Sequence, residues 1–263
     1  MSKSAKPWVQ FSHSPLEKIK LFCFPFAGGD IYTYRKWSEK LDDKIGVYAI
    51  QLPGRGARFN EALFRRLDSL IEELASQLVL DLQAPFVFFG HSLGGLIAFE
   101  LTRFLKKEFS LVPQRLCISS SLPPQLYSSW HHTYHLLSDR DLLEKIQSFG
   151  GVPQEVLAHH DLLEMLLPIV RADMEILETY VFEDFQNKYA GADSKLHCPL
   201  HVMGAVQDTL ILYQDLNEWQ THCENEFSLH TFTGDHFYLN SQMEALCQLL
   251  NKLILSFRTF NEK

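Results

Sequence analysis

The stretch that decides the fold reads Phe86-Val-Phe-Phe-Gly-His-Ser-Leu-Gly-Gly-Leu-Ile-Ala-Phe99. Its apolar start is typical of a buried strand, and its apolar end has helical spacing. Between them, Gly90-His-Ser-Leu-Gly94 matches G-x-S-x-G, a strand–turn–helix motif with a serine at the apex of a strained turn. Glycines at both ends let strand and helix approach closely. We therefore predict that Ser92 is a nucleophile, with the N-terminal amides of the next helix facing the negative charge that develops.

Strand and helix patterns alternate on both sides of this motif. Strands are predicted at 19–24, 47–52, 86–89, 116–120, 200–204 and 227–232, and helices at 31–41, 67–82, 93–107, 213–223 and 243–257. Such alternation is typical of a mostly parallel sheet with helices on both faces. We therefore predict one α/β domain over residues 1–263, with residues 1–14 as a loose or capping arm.

The alternation stops at Pro123-Pro124, and only helical patterns follow as far as about Lys195. One helix is expected to begin at Ser138, with Asp141 as its capping-box partner, and two more are expected over 156–167 and 169–182. A helical insertion at about residues 123–195 predicts a lid over the ends of the strands, the alternative being a purely structural subdomain. Four of its residues are candidates for lining the site: Phe149, Leu162, Leu166 and Ile169.

The partners of Ser92 are expected on loops after strands, in the chain order serine, acid, histidine. Among the 12 histidines, only His236 falls between the last predicted strand and the last predicted helix. Asp208 follows the strand at 200–204 by a few residues, whereas Asp215 lies further along in a helical pattern. We predict that His236 takes the proton of Ser92 and that Asp208 orients the imidazole.

Two backbone N–H groups are expected to bind the oxyanion. One belongs to Leu93, the residue after the nucleophile. The other is expected from Phe26-Ala-Gly-Gly29, the loop after the first strong strand, where Ala27 is favoured and Phe26 is the competing choice. This chemistry needs neither a metal nor a cofactor, and none is expected.

The composition argues against several other classes of protein. A net charge of -8 makes nucleic acid an unfavourable partner. The five cysteines are scattered without C-x-x-C spacing, which predicts buried thiols in a reducing compartment. The start is polar, unlike a secretory signal, and no uncharged apolar run approaches the ~20 residues that span a bilayer. We expect a cytoplasmic enzyme, a monomer, without a membrane partner.

Several segments occur in a fixed order along the chain: Phe24-Pro-Phe-Ala-Gly-Gly29, Gln51-Leu-Pro-Gly-Arg-Gly-Ala-Arg58 with Glu61, Phe89-Gly-His-Ser-Leu-Gly-Gly95 with Ala98-Phe99-Glu100, Arg171-Ala-Asp173 and Gly234-Asp-His-Phe-Tyr-Leu239. Together these segments resemble the type II thioesterases of polyketide and non-ribosomal peptide synthetases, which are related to the medium-chain fatty-acyl thioesterase of animals. The resemblance implies an α/β-hydrolase fold and a triad of Ser92, Asp208 and His236. It also implies hydrolysis of acyl groups from the phosphopantetheine arm of acyl or peptidyl carrier proteins, which removes stalled or misloaded units.

Some roles stay open at this point. Arg55 and Arg58 lie in the family's basic loop and either hold a structural carboxylate, which is favoured, or meet phosphate. Asp235 stands where relatives usually have glycine. A carboxylate near His236 would favour the imidazolium, so Asp235→Gly would shift the acid limb of the pH–rate profile to lower pH. Two alternative functions are a general acyl-CoA hydrolase or carboxylesterase, and an inactive hydrolase fold that serves as a binding module.

Overall fold

The computed structural model describes residues 6–83, 85–151, 159–183 and 195–256. Its seven strands form one sheet in the order β1-β3-β2-β4-β5-β6-β7. Strand β1 is antiparallel to β3, and every other neighbouring pair is parallel, as the alternation predicts. The strands are β1 (Trp8–Gln10), β2 (Ile19–Phe24), β3 (Ile45–Ile50), β4 (Phe86–His91), β5 (Arg115–Ser119), β6 (Leu200–Ala205) and β7 (Phe227–Phe232).

Helices connect the strands and cover the sheet. The α-helices are α1 (Leu67–Leu78), α2 (Leu93–Phe109), α3 (Asp139–Ser148), α4 (His160–Glu178), α5 (Tyr238–Ser241) and α6 (Met243–Leu255). The 3-10 helices are Ile31–Glu39, Gly56–Arg58, Asp81–Gln83, Pro124–Ser129, Tyr134–Leu136 and Tyr213–His222. None of the helices in the described part of the chain is both long enough and apolar enough to cross a membrane.

Each face of the sheet has its own core, because successive side chains of a strand point to opposite sides. Phe22 and Phe88 pack with the buried residues of α1 and α2. Leu21 and Phe89 pack on the other side with the 3-10 helix Ile31–Glu39 and with α6. Helices on both faces are therefore confirmed.

Two predictions at the first edge of the sheet change in detail. Of the two alternatives for the N-terminal arm, residues 8–10 follow the capping one, as a strand: β1 pairs with β3, and the Trp8 indole donates to the Asp81 carboxylate at 2.9 Å. Strand β3 also begins and ends two residues before the predicted 47–52. Three residues are too few to give a readable alternation, so pairing with β3 decides the structure here.

The largest correction concerns α4, because the spacing predicts two helices where the structure has one. Helix α4 continues through Pro168, although proline cannot donate a hydrogen bond to the carbonyl four residues earlier. Leu167, Ile169 and Val170 beside it are buried, so packing holds the helix together across the gap. The start of the first predicted helix, at 156–158, lies outside the described residues.

The helical insertion between β5 and β6 includes α3 and α4. Helix α3 begins as predicted: the Ser138 hydroxyl accepts the N–H of Asp141 at 3.2 Å and donates to its carboxylate at 2.8 Å. The two helices share a small core that includes Leu142, Ile146 and Val170. Residues 152–158 and 184–194 of the predicted insertion lie outside the described residues.

Candidate active site

Ser92 lies in a sharp turn between β4 and α2. Its backbone is strained, with φ 55° and ψ -120°, and its N–H donates to the Ser119 carbonyl at 2.8 Å. The neighbouring glycines have no room for a side chain. A Cβ on Gly94 would lie 2.1 Å from the Phe24 carbonyl oxygen, and one on Gly90 would lie 2.0 Å from the oxygen of Gly94. The close approach predicted from the two glycines is confirmed.

The loops after β6 and β7 bring Asp208 and His236 together. The N–H of Gln207 donates to the Gly234 carbonyl at 3.1 Å, which ties the two loops to each other. Nδ1 of His236 then lies 2.8 Å from Oδ2 of Asp208. Both side chains are buried, with exposures of 6% and 1%. Two of the predicted site residues, 28 positions apart in the chain, are therefore hydrogen-bonded.

The turn itself fixes the other oxygen of Asp208. Oδ1 accepts the N–H groups of Leu210 at 2.9 Å and Ile211 at 3.0 Å. Burial alone would raise the pKa of Asp208, but the hydrogen bond and charge of His236, with the Ile211 N–H, lower that pKa below its usual range. An ionised carboxylate can only accept hydrogen bonds, so Nδ1 of His236 carries a proton in either charge state of the ring. In the neutral ring, Nε2 is then the unprotonated nitrogen that can act as a base.

Ser92 and His236 face one cavity together with the loop after β2. In that loop, the Gly28 N–H donates to the Asp173 carboxylate at 2.7 Å, and the Gly29 N–H donates to the Phe26 carbonyl at 2.8 Å. These two amides are committed to partners, which leaves Ala27 and Phe26 as the candidates for the oxyanion. Leu93, the other predicted donor, is the first residue of α2, where an N–H has no partner within the helix.

The cavity has a volume of about 710 Å³ with its open mouth included, and it is mainly apolar. Its walls include Trp130, Tyr134, Phe149, Leu166, Met174 and Phe237. Phe149 and Leu166 therefore lie where they are predicted. The prediction is wrong for the other two residues of the insertion: Leu162 is 44% exposed, and Ile169 faces a separate surface groove.

The two arginines of the basic loop bind carboxylates, which is the alternative favoured from the sequence. Arg55 makes a bidentate ion pair with Asp173, with distances of 2.8 and 2.9 Å. Arg58 is fully buried and pairs with Glu61 at 2.6 Å. Asp173 is the site residue that sequence reasoning misses. The available signal is its place in the Arg171-Ala-Asp173 block, but nothing in that block identifies Arg55 as its partner.

Asp235, the other open residue, is exposed. Its carboxylate accepts the N–H of Phe237 at 2.9 Å, and the left-handed backbone of this loop is at Gly234, with φ 114°. Asp235 thus caps the turn that leads into α5. Its predicted effect on the acid limb of the pH–rate profile stays a prediction.

His91, within the G-x-S-x-G motif, packs against His236, with the ring centroids 5.1 Å apart. Its Nδ1 lies 2.8 Å from the Ser119 hydroxyl, which in turn lies 2.7 Å from the Tyr238 hydroxyl. Burial, followed by the nearby His236, lowers the pKa of His91 well below its usual value. His91 is therefore neutral at neutral pH and adds no charge beside His236.

The family model described as "Thioesterase domain" matches residues 19–254. The chain belongs to the thioesterase family. This thioesterase is 32% identical to the gramicidin S biosynthesis protein GrsT of Aneurinibacillus migulanus, over 97% of this chain and 98% of GrsT. It is 35% identical to "Linear gramicidin dehydrogenase LgrE" of Brevibacillus parabrevis, over 91% of this chain and 89% of that protein.

Solved structures agree with the fold. The crystal structure of ClbQ, from the colibactin NRPS/PKS pathway, is 30% identical, with a TM-score of 0.83, and the match covers 91% of this thioesterase and 98% of ClbQ. The α/β-hydrolase fold and the resemblance to type II thioesterases are confirmed. Within the described residues, no group of three or more histidine, cysteine, aspartate or glutamate side chains could hold a metal ion.

Proposed function

We propose that this thioesterase hydrolyses acyl groups from the phosphopantetheine arm of acyl or peptidyl carrier proteins, and so removes stalled or misloaded units in polyketide or non-ribosomal peptide synthesis. The named pathways of GrsT and ClbQ support this substrate class. The observation that most directly supports this reaction is the 2.8 Å hydrogen bond between His236 and Asp208, at an apolar cavity that Ser92 also lines.

In the proposed mechanism, Oγ of Ser92 attacks the thioester carbon while Nε2 of His236 takes the serine proton. The carbonyl oxygen becomes an oxyanion, which the N–H groups of Leu93 and Ala27 bind. The carbon–sulfur bond then breaks, and the thiol leaves with the proton from His236. Water removes the acyl group from Ser92 by the same steps in a second round. Asp208 holds His236 in the required tautomer throughout.

The helical insertion at about residues 123–195 is proposed to act as the lid of a single α/β-hydrolase domain that spans the chain. The position of Tyr134, Phe149 and Leu166 in the cavity wall supports this role. An apolar chamber of this kind suits the acyl chain.

The proposed enzyme is a cytoplasmic monomer that works without nucleic acid or a membrane. Hydrolysis of one thioester needs no second subunit, and the net charge of -8 disfavours nucleic acid. All five cysteines are free and buried, which suits a reducing compartment. Carrier proteins are the one macromolecular partner proposed.

A dehydrogenase function, the activity for which LgrE is named, finds no support in the sequence. Dinucleotide-binding folds use G-x-G-x-x-G between a strand and a long helix. Gly54-Arg-Gly56 comes nearest, but Phe59 stands at the third glycine position. The segment continues into the short 3-10 helix Gly56–Arg58, and its Arg55 is bound to Asp173.

The test compares the hydrolysis of one acyl group presented on a carrier protein, on coenzyme A and as a simple oxygen ester, with Ser92→Ala as control. We expect the highest kcat/KM on the carrier, because docking of the protein adds to transition-state binding. We expect Ser92→Ala to lose at least about 10³-fold in kcat. Equal or faster turnover of coenzyme A or of the oxygen ester would favour a general hydrolase. Full activity in Ser92→Ala would overturn the mechanism. No hydrolysis of any of the three substrates by the wild type would favour the inactive binding module.

A further inference from the structure

Three segments that are far apart in the chain meet at Asp173. This residue lies on α4, the long helix of the insertion, and its carboxylate is 3% exposed. Both of its oxygens bind the Arg55 guanidinium, which comes from the loop after β3. Oδ2 also accepts the Gly28 N–H at 2.7 Å. The carboxylate therefore joins the helical insertion to the loop after β2, which holds the candidate oxyanion donor.

The same helix touches this loop a second time. Gly28 has a left-handed backbone, with φ 74°, and a Cβ placed on it would lie 2.6 Å from Cγ2 of Val170. Val170 is one helical turn before Asp173, so both side chains are on one face of α4. The helix thus contacts the Gly28 backbone directly and also holds it by a hydrogen bond.

A short series of hydrogen bonds carries this restraint to Ala27. Arg55 donates to the Gly29 carbonyl at 3.0 Å, and the Gly29 N–H donates to the Phe26 carbonyl at 2.8 Å. The Phe26 carbonyl and the Ala27 N–H belong to one planar trans peptide unit, so fixing the direction of the first fixes the direction of the second.

We propose that Asp173 and Arg55 are positioning residues that set the oxyanion-binding N–H of Ala27, which makes the lid helix part of the catalytic machinery and not only a cover. This inference rests on the proposed function, since it assigns Ala27 to the oxyanion. Neither side chain touches the substrate. Both act through the backbone of residues 26–29.

The expected effect is a loss in kcat without a matching change in KM. Loss of one oxyanion donor typically lowers kcat by about 10²–10³-fold, and a misplacement of about 1 Å costs up to about 10²-fold. We therefore expect Asp173→Leu to lower kcat by about 10–100-fold with KM within about threefold. Asp173→Asn keeps an oxygen for the Gly28 N–H and is expected to lose less.

The experiment measures kcat, KM, Tm and the affinity for an acyl trifluoromethyl ketone. Oγ of Ser92 adds to the ketone carbon, the serine proton passes to His236, and the ketone oxygen becomes an oxyanion in the same place as that of the reaction. For Asp173→Leu, the affinity for this ketone should fall by about the same factor as kcat, since both depend on the oxyanion donors.

Two further variants separate positioning from stability. Asp173→Leu alone leaves the Arg55 charge buried without a partner, which destabilises a fold. Arg55→Met with Asp173→Leu removes both charges, and it should recover Tm while kcat stays low. The matched control is Arg58→Met, which removes the other buried guanidinium of the same loop; it should lower Tm and leave kcat unchanged.

The positioning role is overturned if Asp173→Leu keeps kcat and ketone affinity within twofold while Tm falls, because the pair would then only stabilise the fold. Recovery of kcat together with Tm in the double variant would overturn it as well. Ser92→Ala distinguishes this from a failure of the proposed function: if that variant stays active, the error lies in the proposed mechanism itself.

Discussion

Replacing Asp208 by the isosteric asparagine should move the proton of His236 to the wrong nitrogen. Oδ1 of Asp208 accepts two backbone N–H groups, from Leu210 and Ile211. An asparagine must keep its oxygen on that side, so its NH₂ group faces Nδ1 of His236. A donor facing Nδ1 makes that nitrogen an acceptor, and the ring proton then resides on Nε2. Nε2 is the atom that should take the proton of Ser92.

The size of the effect follows from these contacts. Rotating the side-chain amide by half a turn would point its oxygen at Nδ1 of His236, which is the productive orientation. This rotation would lose two hydrogen bonds of about 1 kcal/mol each, so the productive orientation is disfavoured by about 30-fold. The variant also loses the negative charge that stabilises the imidazolium, and a hydrogen bond to a charged group contributes about 1.5–3 kcal/mol, or at least about 10-fold. Together these factors predict a fall in kcat of about 10³-fold.

The assay is steady-state hydrolysis of an acyl-carrier substrate between pH 7 and 9, with Tm measured on the same samples. Asp215→Asn is the matched control, because Asp215 lies on the next 3-10 helix and is the weaker candidate from the sequence. We expect its kcat to stay within twofold of the wild type. A loss of less than tenfold in Asp208→Asn with unchanged Tm, or an equal loss in Asp215→Asn, would refute the reasoning.

Two predictions concern stability. Burial, followed by the charges of Arg115 and His230, lowers the pKa of His201 to about 4. The unfolded chain, with a histidine pKa of about 6.5, binds a proton on this imidazole more tightly than the folded chain does, so the free energy of unfolding should fall by at most about 3 kcal/mol from pH 6.5 to pH 4. Urea unfolding should show a smaller fall over this pH range for His201→Gln. The same pH dependence in the variant and the wild type would contradict this. Gly94→Ala puts a methyl group 2.1 Å from the Phe24 carbonyl oxygen, so Tm should drop by about 10 °C or more. A drop of less than about 2 °C would show that the turn at Ser92 can accommodate the methyl group.

The elements that can be predicted from the sequence are those specified by short local patterns. The six longer strands, the turn at Ser92 and the cap at Ser138 each depend on a few neighbouring residues. The pairing of Asp208 with His236 is also predictable, because parallel strands end at one edge of the sheet, and the residues after β6 and β7 must meet there.

The features that escape prediction depend on tertiary contacts. Helix α4 continues through Pro168 because buried neighbours hold it, which outweighs the local preference to end. The partner of Asp173 is Arg55, 118 positions away in the chain, and no spacing rule connects them. The side chains that reach the cavity depend on how α4 is rotated over the sheet, and the apolar periodicity of the helix does not distinguish its packed face from the cavity wall.

The bond between Asp173 and Gly28 also has a consequence for folding, because it joins residues 145 positions apart in the chain. The turn at Ser92 is held by contacts of shorter range, such as the hydrogen bond from its N–H to the Ser119 carbonyl, and it can form earlier. The contact between Asp173 and Gly28 closes a longer loop, and the entropy lost in closing that loop must be offset first. The loop at residues 26–29 therefore reaches its final geometry only when α4 docks. A nascent chain can thus contain a formed turn at Ser92 before the loop at residues 26–29 is set, and helix α4 docks before the candidate site is complete.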